Sequence, residues 1–349
     1  MEILDKYDYT LPLHLIAQTP AEPRDSARLF VYDTRTDTVI FSTFRQLADF
    51  LPPRAVMIMN DTRVVPARVS FQKETGGKIE GLLLINEGFT KEGEIRAIAV
   101  KALPVGKKIF LGDEAMTVSR QEGQIFFLKP EFPKEELVPL LEKIGTTPIP
   151  PYISKHALTE AELRKRYQTV FAKQGASVAA PTASLHFTET VFSSLDEKNI
   201  DRLPVTLDVG MGTFAPVTEQ HVREKKLHTE KIAIPSATRE RIKESKNAGL
   251  PIIAVGTTVV RTLESGAGAI LAQNSSLKGD TDLFIMPPYD FKIVDMLITN
   301  FHVPKSSLLC LVDAFLEHKQ AKKTVLDLYE IAVSEKFIFF SFGDAMLIV

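Results

Sequence analysis

The sequence predicts an α/β fold: a three-layer α/β domain built from both ends of the chain, with a small antiparallel β-barrel domain inserted between them. Three observations carry this. From residue 154 onward, apolar runs alternate with polar loops and helical stretches: "LPVTLDV" then "GMGTF", "PIIAV" then "GTT" and "VVRTLESGAGAILA", "MLITNF" then "HVPKS" and "SLLCLVDAFLEH". Near-continuous apolar strands alternating with helices belong to a largely parallel sheet covered on both faces. Between Val64 and about Lys129 the texture is different. Short strand-like runs ("VVPARVSFQ", "KIEGLLLI", "EIRAIAVKA", "KKIFL", "AMTVSR", "QIFFLK") are separated by "TGG", "NEG", "PVG", "GDE" and "QEG", the pattern of a small antiparallel sheet or barrel. Ahead of this stretch lie a hairpin, "ARLFVYDTRTDTVIFSTF", a short helix, "RQLADFL", and a buried-looking strand, "AVMIM", so the larger sheet draws on both chain ends. The expected boundaries are 1–60 and 152–349 for the α/β domain and 61–151 for the barrel. A helix, "PKEELVPLLEKIG", and the proline-rich "TTPIPPYI" close the insertion, since proline removes donors and fixes φ.

Composition bounds the rest. At 349 residues, 44% hydrophobic and 25% charged, the chain can bury a sizeable core without staples. Its one cysteine, Cys310, lies in the apolar run "SSLLCLVDAFL", which reads as core, excludes an intrachain disulfide framework and fits a reducing compartment. No run approaches the ~18 apolar residues of a membrane span, and the N-terminus lacks the basic-then-apolar order of a signal peptide. A cytoplasmic protein with no membrane partner is expected. The net charge of −2 gives no global reason for nucleic acid but leaves local basic surfaces open. One is "LRKRYQTVF", where Arg164, Lys165 and Arg166 stand beside Tyr167, suited to phosphate contact and base stacking on RNA. A basic solvated helix face is the competing reading. Arg68, with Arg63, Lys73 and Lys78, adds positive charge where the barrel leaves the α/β domain.

In open α/β sheets, ligands bind beyond the carboxyl ends of the strands. Four such ends carry polar sets: "NDTR" (Asn60, Asp61, Arg63), "GMGT" (Gly210, Gly212, Thr213), "GTT" (Gly256, Thr257, Thr258), followed one turn on by Arg261, and "TNFHVPKSS" (Asn300, His302, Lys305, Ser306). Backbone N–H groups at such loops hold carboxylates, phosphates or sugar hydroxyls, and four in one chain point to a shared pocket. His302 precedes a helix that Ser306 is placed to cap; the competing reading is a loop histidine bonded to backbone. His228 and Glu230 fall two apart in a strand-like run and share a face, a base with its orienter or else a solvated edge. The stretch "SVAAPTASLHFTETV" places Thr182 and His186 in a small-residue turn before a helix capped by Thr188. Metal is not expected: the seven histidines are scattered, with no Cys pair and no His-x-x-x-His. Neither a phosphate loop of the GxxxxGK[ST] kind nor a G-x-G-x-x-G is present.

Long ordered segments then resemble one family. "YTLPLHLIAQTPAEPRDSARL", "NDTRVVPARV", "YQTVFAKQGASVAAPTASLHFT", "VGMGTFAPV", "AVGTTVVRTLES", "TNFHVPKSSLLCLVDAF" and "FSFGDAMLI" are similar to S-adenosylmethionine:tRNA ribosyltransferase-isomerases of queuosine synthesis, over almost the whole chain. Departures from the pattern fall at Ser184, Asp208, Met211 and Pro288. The resemblance implies an α/β domain with an inserted β-barrel. It also implies transfer and isomerisation of the ribosyl part of S-adenosylmethionine onto 7-aminomethyl-7-deazaguanine at the tRNA wobble position, giving epoxyqueuosine-tRNA, adenine and methionine. S-adenosylmethionine is then a co-substrate, with no further cofactor. Such chemistry needs a base near the acidified ribose carbon, making His186, His302 and His228 the acid–base candidates, with Glu230 beside them. The methionyl carboxylate needs donors, expected at Gly256–Thr258 and Lys305–Ser306. The alternatives are a divergent relative that binds tRNA without the chemistry, and an unrelated α/β enzyme acting on a nucleoside.

Overall fold

The structure, a computed structural model, describes residues 2–210, 212, 217–272 and 277–349. Its strands in chain order begin with β1 (Arg28–Asp33), β2 (Thr38–Thr43), β3 (Val56–Asn60) and β4 (Thr62–Val64). The next six are β5 (Arg68–Lys73), β6 (Lys78–Leu83), β7 (Ile95–Ala99), β8 (Lys108–Leu111), β9 (Glu114–Glu122) and β10 (Ile125–Pro130). The rest are β11 (Gln174–Ser177), β12 (Asp201–Leu207), β13 (Lys226–Ile234), β14 (Ile252–Val255), β15 (Leu277–Leu283), β16 (Met296–Asn300) and β17 (Ala345–Ile348).

Nine strands form one sheet in the order β15-β13-β12-β3-β14-β16-β17-β1-β2. The centre, β12-β3-β14-β16, is parallel, while β17 runs against β16 and both edges end in antiparallel pairs. The expected parallel texture therefore holds for the four central strands and for the β17–β1 pair. At one edge the cause is local: only four residues separate β1 from β2, and a connection that short joins antiparallel strands. β1 pairs in parallel with β17 at the far end of the chain, so both chain ends share the sheet.

Alternation along the strands covers both faces. Phe30, Tyr32, Val56, Ile58, Ile252 and Ala254 pack with the helices Thr257–Ser265, Ser307–His318 and Val325–Ser334. Leu29, Val31, Met57, Met59, Ile253 and Val255 pack with the turn Phe44–Phe50 and the helix Glu189–Glu197. A period-two strand buried on both sides forces a three-layer arrangement. Cys310 is fully buried in the first layer. The stretch read as one helix after β14 is two, Thr257–Ser265 and Ala267–Leu271, parted at Gly266.

β5 to β10 close into a six-stranded antiparallel barrel, filled by Phe71, Leu83, Ile109, Leu111, Met116 and Val118. The helix Leu137–Ile144 seals it, ending at Gly145. A Cβ on Gly145 would lie 1.8 Å from the Pro66 carbonyl oxygen and 2.8 Å from that of Leu141. Both obstacles are backbone, so relief requires moving the strand entry. Gly145→Ala is expected to cost about 1–3 kcal/mol, read as a lower urea midpoint at unchanged m-value.

Candidate active site

A cleft of about 620 Å³ opens beyond the carboxyl ends of the central parallel strands, the size range of small-molecule sites. Three loops predicted to meet there do so. After β14, Gly256 takes φ +92° and the chain turns directly into the helix Thr257–Ser265; Gly256, Thr257, Thr258 and Arg261 all line the cleft. After β16 come Asn300, His302, Lys305 and Ser306, with Ser306 capping Ser307–His318 by accepting the Leu309 N–H. From the turn Thr182–His186, Thr182 reaches the wall and donates to Asn300 Oδ1 at 2.8 Å. From β13, His228 and Glu230 face the cleft together, as their spacing requires. Gly212 lines it too; Thr213 lies outside the described residues.

Glu230 is buried, 4% exposed, and fully engaged. One oxygen accepts the Gly210 N–H at 2.9 Å and the other pairs with Arg261 Nη1. It is therefore no solvated edge, and both of its oxygens are engaged, one of them with an arginine of the cleft wall. His228 stands beside it with its ring 4.9 Å from that of His221. Burial first, and then His221, lower its pKa, against the raising influence of Glu230, so it is neutral at pH 7. His221 is fixed in turn: its Nδ1 accepts the Thr218 N–H at 3.1 Å. His302 is locked from several sides. Its Nε2 shares a proton with Thr299 Oγ1 at 2.8 Å, and its backbone N–H donates to Tyr329 Oη at 2.8 Å. Burial pushes its pKa down to about 3.

Several predicted residues are elsewhere. His186 is 4% exposed, does not line the cleft and packs on Phe44 with ring centroids 5.1 Å apart. It closes the turn that starts at the cleft residues Thr182 and Ala183, and its ring packs behind that wall against Phe44. Asn60 is not in the cleft either. Its side chain continues the β3–β12 pairing, donating to the Leu207 carbonyl and accepting the Leu207 N–H, both at 3.0 Å. Asp61 accepts from Thr206 Oγ1 at 2.7 Å in a buried setting that raises its pKa. Arg63 pairs with Glu142 beside a second, small cavity. Lys305 is in the cleft, but its ammonium lies 3.1 Å from each of Asp5 and Asp8. Its charge is already balanced.

The basic cluster is mostly spent inside the protein. Arg164 donates to Glu160 and to the carbonyls of Glu142 and Gly145. Arg166 pairs with Glu22 at 2.8 Å and Arg68 donates to the Ile149 carbonyl at 3.0 Å. Tyr167 is 1% exposed and edge-on to Phe342, and it lines the inner wall of the cleft near Tyr152 instead of presenting a ring on the surface. Lys165 is exposed and carries no ion pair among the described residues. Ser184 is fully buried with an unpartnered hydroxyl, and Asp208 accepts from Thr62 Oγ1 at 2.7 Å and the Ala176 N–H at 3.0 Å.

Sequence reasoning missed Thr299, His221 and the pair Tyr152–Ser341, whose hydroxyls meet at 2.6 Å on the cleft wall. Tyr152 and Ser341 sit in "TPIPPYI" and "FSFGDAMLI", segments long enough to signal importance but silent on which side chain faces inward. It also missed Arg24, which ties the site's turn together by donating to the carbonyls of Gln168, Leu185 and Lys165.

The comparisons with known proteins decide the family. The profile of the queuosine biosynthesis protein family matches residues 4–348. The chain belongs to that family. It is 42% identical to the S-adenosylmethionine:tRNA ribosyltransferase-isomerase of Fusobacterium nucleatum, covering 99% of this chain and 96% of that one. With the protein of the same name from Carboxydothermus hydrogenoformans it shares 43% identity, over 99% of each. The crystal structure of S-adenosylmethionine tRNA ribosyltransferase from Thermotoga maritima superposes with a TM-score of 0.55 at 31% identity, over 99% of this chain and all of that one. The mixed sheet with its closed barrel is therefore this family's architecture.

Burial of neutral histidines has a pH signature. His186 has its pKa held down to about 4 by burial, against about 6.5 when unfolded. Between these values the unfolded chain binds the extra proton, so stability falls as pH drops from about 6.5 toward 4 and levels off below. Relative to His186→Asn, the wild type is expected to lose up to about 1.4 kcal/mol per pH unit in that window, measured by urea unfolding at pH 7, 6 and 5.

Proposed function

We propose that the chain is an S-adenosylmethionine:tRNA ribosyltransferase-isomerase. It moves the ribosyl group of S-adenosylmethionine onto 7-aminomethyl-7-deazaguanine at the wobble position of tRNA and isomerises it, releasing adenine and methionine. The observation that carries this reading is a family match over 4–348 on a chain whose cleft gathers three histidines, a glutamate–arginine pair and a helix N-terminus. The sulfonium acidifies the adjacent ribose carbon, and a neutral imidazole suits the proton abstraction. We assign that base to His228, whose neutrality its burial and His221 maintain. His302, bonded to Thr299, supplies a fixed donor or acceptor for departing adenine. The wobble base must leave the anticodon stack to enter a cleft of this kind, and Lys165, exposed and without an ion pair among the described residues, is the cation we assign to phosphate contact.

S-adenosylmethionine serves as co-substrate with no separate cofactor. Among the described residues no helix is long and apolar enough to cross a membrane, and no group of three or more His, Cys, Asp or Glu is placed to hold a metal. The test is incubation with S-adenosylmethionine and tRNA bearing the aminomethyl base. Free adenine together with a tRNA heavier by the transferred group is expected. Adenine release without a heavier tRNA would point to a nucleoside enzyme, and tRNA binding with neither product to a relative that has lost the chemistry.

A further inference from the structure

The guanidinium of Arg261 is clamped on two sides and unpartnered on the third. Nε donates to the Leu283 carbonyl at 3.0 Å and Nη1 pairs with Glu230. Nη2 is buried with no partner, in a residue only 8% exposed that lines the cleft. Buried donors in folded proteins almost always find an acceptor, and one left over calls for a ligand or an ordered solvent molecule. The fork is planar and already held by Leu283 and Glu230, so Nη2 is presented in a fixed direction.

A second set of donors converges there. Thr257–Ser265 is a nine-residue helix whose first turn opens on the cleft, and first-turn N–H groups have no acceptor within their own helix. Arg261 stands four residues after Thr257, and helical side chains lean toward the N-terminus of their helix. Its unpartnered edge and the helix start thus belong to the same wall of the cleft. A carboxylate matches best: it is planar, takes an arginine edge and a helix N-terminus together, and is favoured there by the helix dipole. The other cation of the cleft, Lys305, is occupied by Asp5 and Asp8.

We infer that Arg261, through Nη2 and together with the start of the Thr257–Ser265 helix, binds the α-carboxylate of the amino-acid arm of the sulfonium substrate. This rests on the reaction proposed above. Glu230 orients the guanidinium, and Gly210 N–H holds Glu230.

The test pairs a truncated substrate with a truncated residue. Wild type and Arg261→Lys, which keeps the charge against Glu230 but loses the fork, are assayed for adenine release with tRNA and either S-adenosylmethionine or its decarboxylated analogue. The wild type is expected to lose about 10–100-fold in kcat/KM when the carboxylate is removed, the range for a charge-assisted bond. Arg261→Lys loses a similar factor with S-adenosylmethionine and shows little further loss with the analogue. A variant that discriminates as strongly as the wild type overturns the assignment, as does a wild type that treats both alike. No adenine from wild type and S-adenosylmethionine overturns the reaction itself. A wild-type crystal structure with S-adenosylmethionine decides the same point without a variant: the carboxylate on Arg261 Nη2 supports it, and the carboxylate on Lys305 or elsewhere overturns it.

Discussion

His228→Gln lowers turnover by about 100-fold or more and leaves the melting temperature within a few degrees. The expected loss is that of an acid–base group. The small stability change follows from position: His228 is partly exposed on the cleft wall, outside the packed layers, and Gln keeps a polar group of similar reach. The control is His186→Asn, in the conspicuous turn of the sequence. That ring lies behind the wall against Phe44, so its replacement shifts stability and leaves kcat within a few-fold. Single-turnover rates for both variants, with circular dichroism melts alongside, check the pair. A normal rate for His228→Gln would remove it from the chemistry, and a 100-fold loss for His186→Asn would mean the turn reorganises around substrate.

Glu230→Ala has the largest expected effect on folding. It leaves Arg261 charged, 8% exposed and without its counter-ion, and orphans the Gly210 N–H. Breaking a buried pair by removing one partner costs about 3–5 kcal/mol, a large share of the 5–15 kcal/mol that typically separates folded from unfolded chains. The double variant Glu230→Gln with Arg261→Gln recovers much of this, because both buried charges go and hydrogen-bonding groups of similar shape remain. Urea denaturation of the single and double variants measures the difference. Equal loss in both would mean the pair contributes nothing beyond its separate side chains.

How much of this was legible in the sequence depended on periodicity. The apolar runs at 55–59 and 252–255 announce themselves as strands, because burial on both faces leaves a run with no polar residue to mark a side. The barrel was legible through its turn residues. The antiparallel edge β1–β2 was legible as a hairpin, but the reversal of β17 against β16 was not, because strand direction in a large sheet depends on where a connection returns, and composition is silent on that. Within the site, glycine and threonine at strand ends located the cleft, and the two-residue spacing of His228 and Glu230 put both on it. The direction of individual side chains was lost where the backbone is irregular. His186 and Thr182 share one short turn, yet only Thr182 reaches the cleft. Asn60 and Asp61 looked like ligand residues, and instead their polar atoms complete the sheet. Tyr167 beside three cations resembled a surface stacking platform, but its ring is buried in the inner wall of the cleft.

The central claim is that S-adenosylmethionine is held in the cleft beyond β14 and β16. Amide hydrogen exchange of the wild type, with tRNA present and with or without S-adenosylmethionine, tests it most directly. The account predicts slowed exchange across 256–261 and 299–307 on addition of S-adenosylmethionine, with the barrel strands unchanged. Protection confined to the barrel or to the small cavity beside Arg63, with none at 256–261, would contradict it.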